Sequence, residues 1–295
     1  MSEQKATQVG PSKIDIVYEK LGDPNDPPVF LIMGGGSQLV AWPDGLCKEL
    51  LIRGLHLIRF DNRDSGLSTH FNDGPLPDFK EAMAGDFSKV PYSLSDMAAD
   101  TVGLMDVLGF DSVHLVGASM GGMIAQTIAI EYPKRVRSLT SMMTTTGAAG
   151  VGQPDFTILA KLGPSPEDKA GHIEWLIRSL KAIGSADYAF DEEGARDRAS
   201  RAWDRDHDPN VMLRQAVASL KSGDRTEKLR SVNVPTLVIH GDADKMVDVS
   251  GGEATAAAIP GAKLVVIKGM GHGFPPALFT KFADLISDLV HHNEN

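Results

Sequence analysis

The chain has 295 residues, 42% hydrophobic and 23% charged, with one cysteine and a formal net charge of −10. One cysteine excludes an intrachain disulfide and a Cys-based zinc cluster, and an acidic balance without a basic stripe disfavours nucleic acid. No apolar run reaches the about 18 residues of a membrane span, and the N-terminal MSEQKATQVGPSK has no apolar stretch to act as a secretory signal, so the expectation is a soluble, cytoplasmic protein.

Ile14–Tyr18 alternates and predicts an early, half-exposed strand. Val29–Met33 (VFLIM) is continuously apolar and stops at Gly34-Gly35-Gly36, after which Trp42–Arg53 has a helical pattern. Leu55–Phe60 stops at Asp61. Leu94–Leu108 places Leu94, Met97, Ala98, Val102, Met105 and Leu108 on one helical face, with Ser93 as N-cap and Asp96 three residues on. Val113–Val116 stops at Gly117, and helical Met120–Glu131 ends before Pro133. Val136–Met143, Thr236–His240 and Lys263–Lys268 are further strands, and Gly251–Ile259 and Pro276–Leu289 are helices. Continuous apolar strands alternating with helices predict a doubly wound, mostly parallel sheet with helices on both faces. Ala148–Asn233 breaks the pattern: it has no strong strand signal, and helical stretches appear at Glu167–Ala182, Glu192–Arg205 and Val211–Lys221. It is read as a helical insertion, and the His291–Asn295 tail as frayed.

The strongest local signal is Gly117-Ala118-Ser119-Met120-Gly121, a G-x-S-x-G sequence between a buried strand and a helix. A serine on a sharp strand-to-helix turn exposes its Oγ, and the N–H of Met120 then lies at a helix N-terminus, where it can stabilise an oxyanion. The hydroxyl needs a base. Of nine histidines, only His272 follows the last predicted strand, in the loop Gly269-Met270-Gly271-His272-Gly273. His56 and His114 fall inside strands and are read as core or edge residues, and His240 beside Gly241 as structural. The orienting acid belongs at another strand end. Asp242 and Asp244 both qualify; Asp244 is preferred, with Asp242 forming the turn. Gly34-Gly35-Gly36 supplies the second oxyanion donor, Gly35 before Gly36. A phosphate-loop reading fails because neither phosphate-binding glycine pattern is present.

These pieces resemble the α/β-hydrolase superfamily. The resemblance rests on GDPNDPPVFLIMGGG, GLHLIRFDNRDSGLST, HLVGASMGGMIAQ, VPTLVIHGDADKMV and IPGAKLVVIKGMGH, which cover both ends of the chain. MGGG followed by AWPDGL is similar to capped bacterial carboxylesterases, including the anthracycline (aclacinomycin) methylesterase type; many relatives carry His-Gly where Met33-Gly34 stands here. The resemblance implies an α/β-hydrolase core of residues 1–147 and 234–295, with a helical cap, residues 148–233, inserted after the sixth strand. It implies Ser119, Asp244 and His272 as catalytic triad, Gly35 and Met120 as backbone oxyanion donors, and Asp61 and Arg63 as structural. Serine at the nucleophile position separates the chain from the epoxide hydrolases and haloalkane dehalogenases of this fold, which place aspartate there.

The expected reaction is carboxylic ester hydrolysis through an acyl-enzyme, with a small-molecule ester as partner and no cofactor or metal. Perhydrolase, lactonase and C–C bond hydrolase activities use the same triad and stay open, as does a non-catalytic binding protein on this fold. Phe156, Leu159, Trp175, Tyr188 and Trp203 are pocket candidates, with helix packing as their competing role; Met142 and Met143 are divided between pocket and core. Monomer and homodimer are equally compatible with the sequence.

Overall fold

The structure, a computed structural model, describes residues 2–294; the side chain of Leu159, one of the pocket candidates, lies outside the described residues. In chain order the elements are β1 (Gln4–Val9), β2 (Ile14–Leu21), β3 (Pro28–Ile32), α1 (Asp44–Ile52), β4 (His56–Phe60), α2 (Phe79–Met83), α3 (Leu94–Leu108), β5 (Val113–Ala118), α4 (Met120–Glu131) and β6 (Val136–Met142). There follow α5 (Phe156–Leu162), α6 (Lys169–Ile183), α7 (Glu192–Arg205), α8 (Val211–Ser222), α9 (Thr226–Leu229), β7 (Thr236–Gly241), α10 (Ser250–Ala258), β8 (Lys263–Ile267) and α11 (Phe279–His291).

The continuous apolar runs become strands with helices on both faces: β3, β4, β5 and β7 are buried at every position. One sheet runs β1-β2-β4-β3-β5-β6-β7-β8, parallel from β4 to β8 and antiparallel at β1 and β2. One core packs α3 and α4 on one face, and a second packs α1 and α11 on the other. The predicted Ser93–Asp96 pair forms a reciprocal capping box on α3.

Three expectations differ from the structure. β2 extends to Leu21 and is mostly buried, because β1 covers its free edge. β1 itself has the pattern exposed-exposed-buried-exposed-exposed-buried; as an edge strand held by its ladder rather than by apolar content, it carries no hydrophobic signal. The tail is tied down: the Glu294 carboxylate meets His114 Nε2 at 2.6 Å and Arg137 Nη1 at 2.7 Å. No helix among the described residues is long and apolar enough to cross a membrane.

β3 has β4 on one side and β5 on the other, so the winding direction reverses there. Ligands of open α/β sheets bind outside the carboxyl ends of strands at such a switch point. Between β6 and β7 the chain makes α5 to α9 and no strand among the described residues; α6, α7 and α8 match the expected helices within a few residues, and short α5 and α9 add to them.

Candidate active site

At the end of β5, Ser119 has φ 55° and ψ −124°, a conformation that β-carbon sterics penalise. The turn persists because the sheet holds it: the Ser119 N–H donates to Met142 O on β6 (3.0 Å), and Ser119 O accepts from Gly122 N–H (2.9 Å). Glycines flank it for want of space. A Cβ at Gly117 would overlap the Gly121 carbonyl, and one at Gly121 would overlap the Ile32 carbonyl of β3. Met120 begins α4, so its N–H has no intrahelical acceptor and lies beside the Ser119 side chain.

His272 Nε2 lies 3.1 Å from Ser119 Oγ, and His272 Nδ1 lies 2.8 Å from Asp244 Oδ2. Both predicted partners, from separate strand ends, therefore meet the predicted serine. The Asp244 side chain is fully buried. Its Oδ1 accepts from the Met246 and Val247 N–H groups, each at 2.8 Å. Burial acts to raise its pKa, but hydrogen bonds with His240 and His272, the His272 charge and the Val247 N–H outweigh this and hold the carboxyl well below the usual range. Asp242 takes a bracing role: its Oδ1 accepts from Gly269 N–H at 2.6 Å, tying the β7 turn to the His272 loop. His240 is buried, donates from Nε2 to Val247 O (2.8 Å) and faces Asp244 at 3.5 Å; its expected structural place is beside the acid. His56 and His114 are core residues, as expected.

The glycines after β3 form a turn closed by Ser37 N–H to Gly34 O (3.3 Å), with Gly36 at φ 68°. A Cβ at Gly34 would lie 3.0 Å from Ser119 Cβ, so this turn lies directly against the serine. The Gly36 N–H is taken by Gln215 Oε1 at 2.7 Å, whereas no acceptor among the described residues takes the Gly35 N–H. That distinguishes Gly35 from Gly36 as the free donor. The turn after β4 braces both ends of this segment: Asn62 Nδ2 donates to Met33 O (3.1 Å), and Asp61 Oδ1 accepts from Leu39 N–H (2.7 Å). Arg63 pairs with buried Asp100 through two bonds of 2.5 and 2.7 Å. Asp61 and Arg63 are thus the structural residues expected.

Several residues at the site escaped sequence reasoning. The helical insertion reaches the His272 loop through Ile183 O, which accepts from His272 N–H (2.8 Å), and Ser185 Oγ, which accepts from Gly271 N–H (2.9 Å). It reaches the glycine turn through Gln215 on α8 and through Arg205 on α7, which contacts Gln38 Oε1 and Asp61. Gln215 carries a faint signal: with Val211, Ala218 and Ser222 it makes a helical stripe in which a polar residue sits among small and apolar ones. Ser185 and Gln38 carry none. The aromatic pocket candidates divide. Trp203 stacks on His207 at 3.7 Å, and Trp175 Nε1 donates to Gly163 O at 3.0 Å, both within the insertion. Phe156 is exposed, while Tyr188 packs on the core cluster containing Met270 and Trp42. Met142 and Met143 are buried in that same cluster. Asp64, His70 and Asp208 bring possible metal-ligating atoms together, but Arg214 ion-pairs with both carboxylates and places its own cation there.

A family model described as "alpha/beta hydrolase fold" matches residues 27–275. The chain belongs to the α/β-hydrolase family. It is 27% identical to the rhodomycin D methylesterase of Streptomyces peucetius, over 93% of this chain and 94% of that protein. It is 31% identical to the 2-hydroxy-6-oxononadienedioate/2-hydroxy-6-oxononatrienedioate hydrolase of Comamonas testosteroni, over 59% of this chain and 61% of that protein. Among solved structures, an esterase from a Rhodococcus species superposes with a TM-score of 0.75 and 21% identity, covering 99% of this chain and 100% of that one. The anthracycline-methylesterase resemblance thus extends over nearly the whole α/β-hydrolase chain, insertion included.

Proposed function

We propose that this α/β-hydrolase cleaves carboxylic esters through an acyl-enzyme on Ser119, with His272 as base, Asp244 as orienting acid, and the Gly35 and Met120 N–H groups as oxyanion donors. The observation that carries the reading is the unbroken Asp244–His272–Ser119 chain, 2.8 and 3.1 Å, at the switch point of the sheet. His272 takes the Ser119 proton as Oγ attacks the carbonyl carbon. The new oxyanion accepts from the two N–H groups. As the tetrahedral intermediate collapses, the C–O bond to the alcohol breaks and His272 protonates the leaving oxygen. A water then gives its proton to His272 and attacks the acyl carbon, releasing the acid and restoring the Ser119 hydroxyl. Residues 148–233 serve as a cap over this edge of the sheet, reaching the His272 loop through Ile183 and the glycine turn through Gln215.

Likeness to rhodomycin D methylesterases over nearly the full chain makes methyl esters, rhodomycin D among them, the first substrates to test. A second reading, C–C bond hydrolysis by the same residues, is favoured by the 31% identity to the Comamonas hydrolase. A panel of methyl esters, p-nitrophenyl esters of increasing acyl length and a vinylogous diketone decides between them, with Ser119→Ala as control. Ester turnover abolished by that substitution supports the proposal; preferential diketone cleavage replaces it with the second reading.

A further inference from the structure

Gln215 is completely buried, and its amide is fully used. Oε1 accepts from Gly36 N–H at 2.7 Å, while Nε2 donates to Arg63 O at 2.9 Å and Ser65 Oγ at 3.0 Å. One side chain on α8 thereby joins the glycine turn after β3 to the turn after β4.

The turn it holds is soft by composition. Gly34 to Ser37 is closed by a single 3.3 Å backbone bond, and its third residue, Gly36, sits at φ 68°, as a type II turn requires. The central peptide of such a turn, Gly35 C=O with Gly36 N–H, reverses direction in the type I alternative. With glycine at both central positions, steric preference for either is small. Gln215 Oε1 rewards only the orientation in which the Gly36 N–H faces α8. Fixing that peptide fixes ψ of Gly35 and φ of Gly36 and so anchors Gly35 from its C-terminal side, while the Gly35 N–H belongs to the preceding Gly34–Gly35 peptide and moves only as Gly35 itself moves. The adjoining Gly34 lies against Ser119. The anchor behind Gln215 is itself rigid, since Arg63 is held by the buried Asp100 carboxylate.

We propose that Gln215 is a positioning residue for the oxyanion hole: it touches no substrate, but from the cap it anchors the turn at Gly36 and so keeps Gly35, with its N–H, in place beside Ser119. This rests on the reading of Ser119 as nucleophile and Gly35 as oxyanion donor. A displaced donor weakens the transition state while leaving ester binding unchanged.

The test uses the full chain and a trifluoromethyl ketone, whose carbonyl carbon bonds to a serine Oγ and whose oxygen becomes an oxyanion. Gln215→Met keeps the length and removes the amide. It is expected to lower kcat about 10–100-fold, to leave KM within about two-fold, and to weaken the ketone by the same factor as kcat. Gln215→Glu retains an acceptor for Gly36 and recovers part of the loss. Ser65→Ala is the milder companion, leaving the Gly36 bond but freeing one Nε2 hydrogen, and lowers kcat and ketone affinity together by a few-fold; it carries the test should the methionine variant not fold. Unchanged kcat and ketone affinity per folded molecule, with only a lower Tm, reduce Gln215 to a brace and overturn the proposal. A rise in KM at constant kcat overturns it too, by making Gln215 a pocket residue. Both outcomes leave the nucleophile reading intact. Retained turnover in Ser119→Ala, or a wild-type enzyme that hydrolyses esters and ignores the ketone, overturns that reading and the positioning role with it.

Discussion

The parts of the site differ in what fastens them. The Ser119 turn is held by the sheet alone, through Met142 O and the close approach of Gly121 to the end of β3. The His272 loop and the glycine turn are held from the core, through Asp242, Asn62 and Asp61, and also from the helical insertion, through Ile183, Ser185, Arg205 and Gln215. The strained geometry of Ser119 is therefore a property of the core. The placement of His272 and Gly35, the proposed base and one proposed oxyanion donor, depends also on the segment from α6 to α8 standing where it does. Loosening the insertion should disable proton transfer and oxyanion binding while the serine turn stays formed.

The largest expected effect breaks the core side. Ser119→Ala should lower kcat by about 10⁴–10⁶-fold and abolish labelling by a fluorophosphonate, with the fold unchanged by circular dichroism. Asp244→Asn follows at about 10⁴-fold, because the amide cannot stabilise the imidazolium and favours the wrong tautomer; an ester assay across pH measures it, and a change under about ten-fold would remove Asp244 from the triad. Ser185→Ala addresses the insertion side more gently. It strips the acceptor from Gly271 N–H, on the order of 1 kcal/mol, and should slow turnover about five-fold without moving the Ser119 turn; kcat equal to wild type would mean the His272 loop holds itself.

The insertion should also respond to pH. Burial holds the His172 and His207 imidazoles below the ordinary histidine value, and the His207 charge pushes His172 the same way across 4.8 Å. Asp206 and Asp208 oppose the shift at His207. Unfolded histidines protonate near about 6.5, so below that the unfolded state binds more protons and stability is lost as pH falls. Limited proteolysis of residues 148–233 should quicken from about pH 7.5 to about 5.5, and His172→Phe should flatten the dependence. The smallest effect belongs to the core. Burial pushes the Cys47 thiol up to about 11, so a thiol reagent should leave native protein unlabelled at neutral pH and react fully once it is denatured. Labelling of native protein would show that α1 opens readily.

Legibility in sequence followed the same division. Strands β3, β4, β5 and β7 announce themselves because burial on both faces favours largely apolar runs, and Ser119, His272 and Asp244 stand at strand ends where few other residues compete. Gly271 is legible as a loop glycine, and its need for glycine comes from close approach: a side chain there would strike the Gly184 carbonyl of the insertion. Gln215, Ser185 and Arg205 were not legible as site residues. Each acts across 86 to 179 positions of chain, and single hydrogen bonds between distant polar residues leave no periodicity to detect. β1 was missed because an edge strand needs ladder partners rather than apolar side chains.

Trapping the covalent intermediate tests the central claim most directly. A slowly deacylating p-nitrophenyl ester, quenched in acid within the first turnover and digested, should give one acyl group per chain, on the peptide containing Ser119, and none in Ser119→Ala. An acyl group on another residue, or steady hydrolysis by Ser119→Ala, would contradict the assignment.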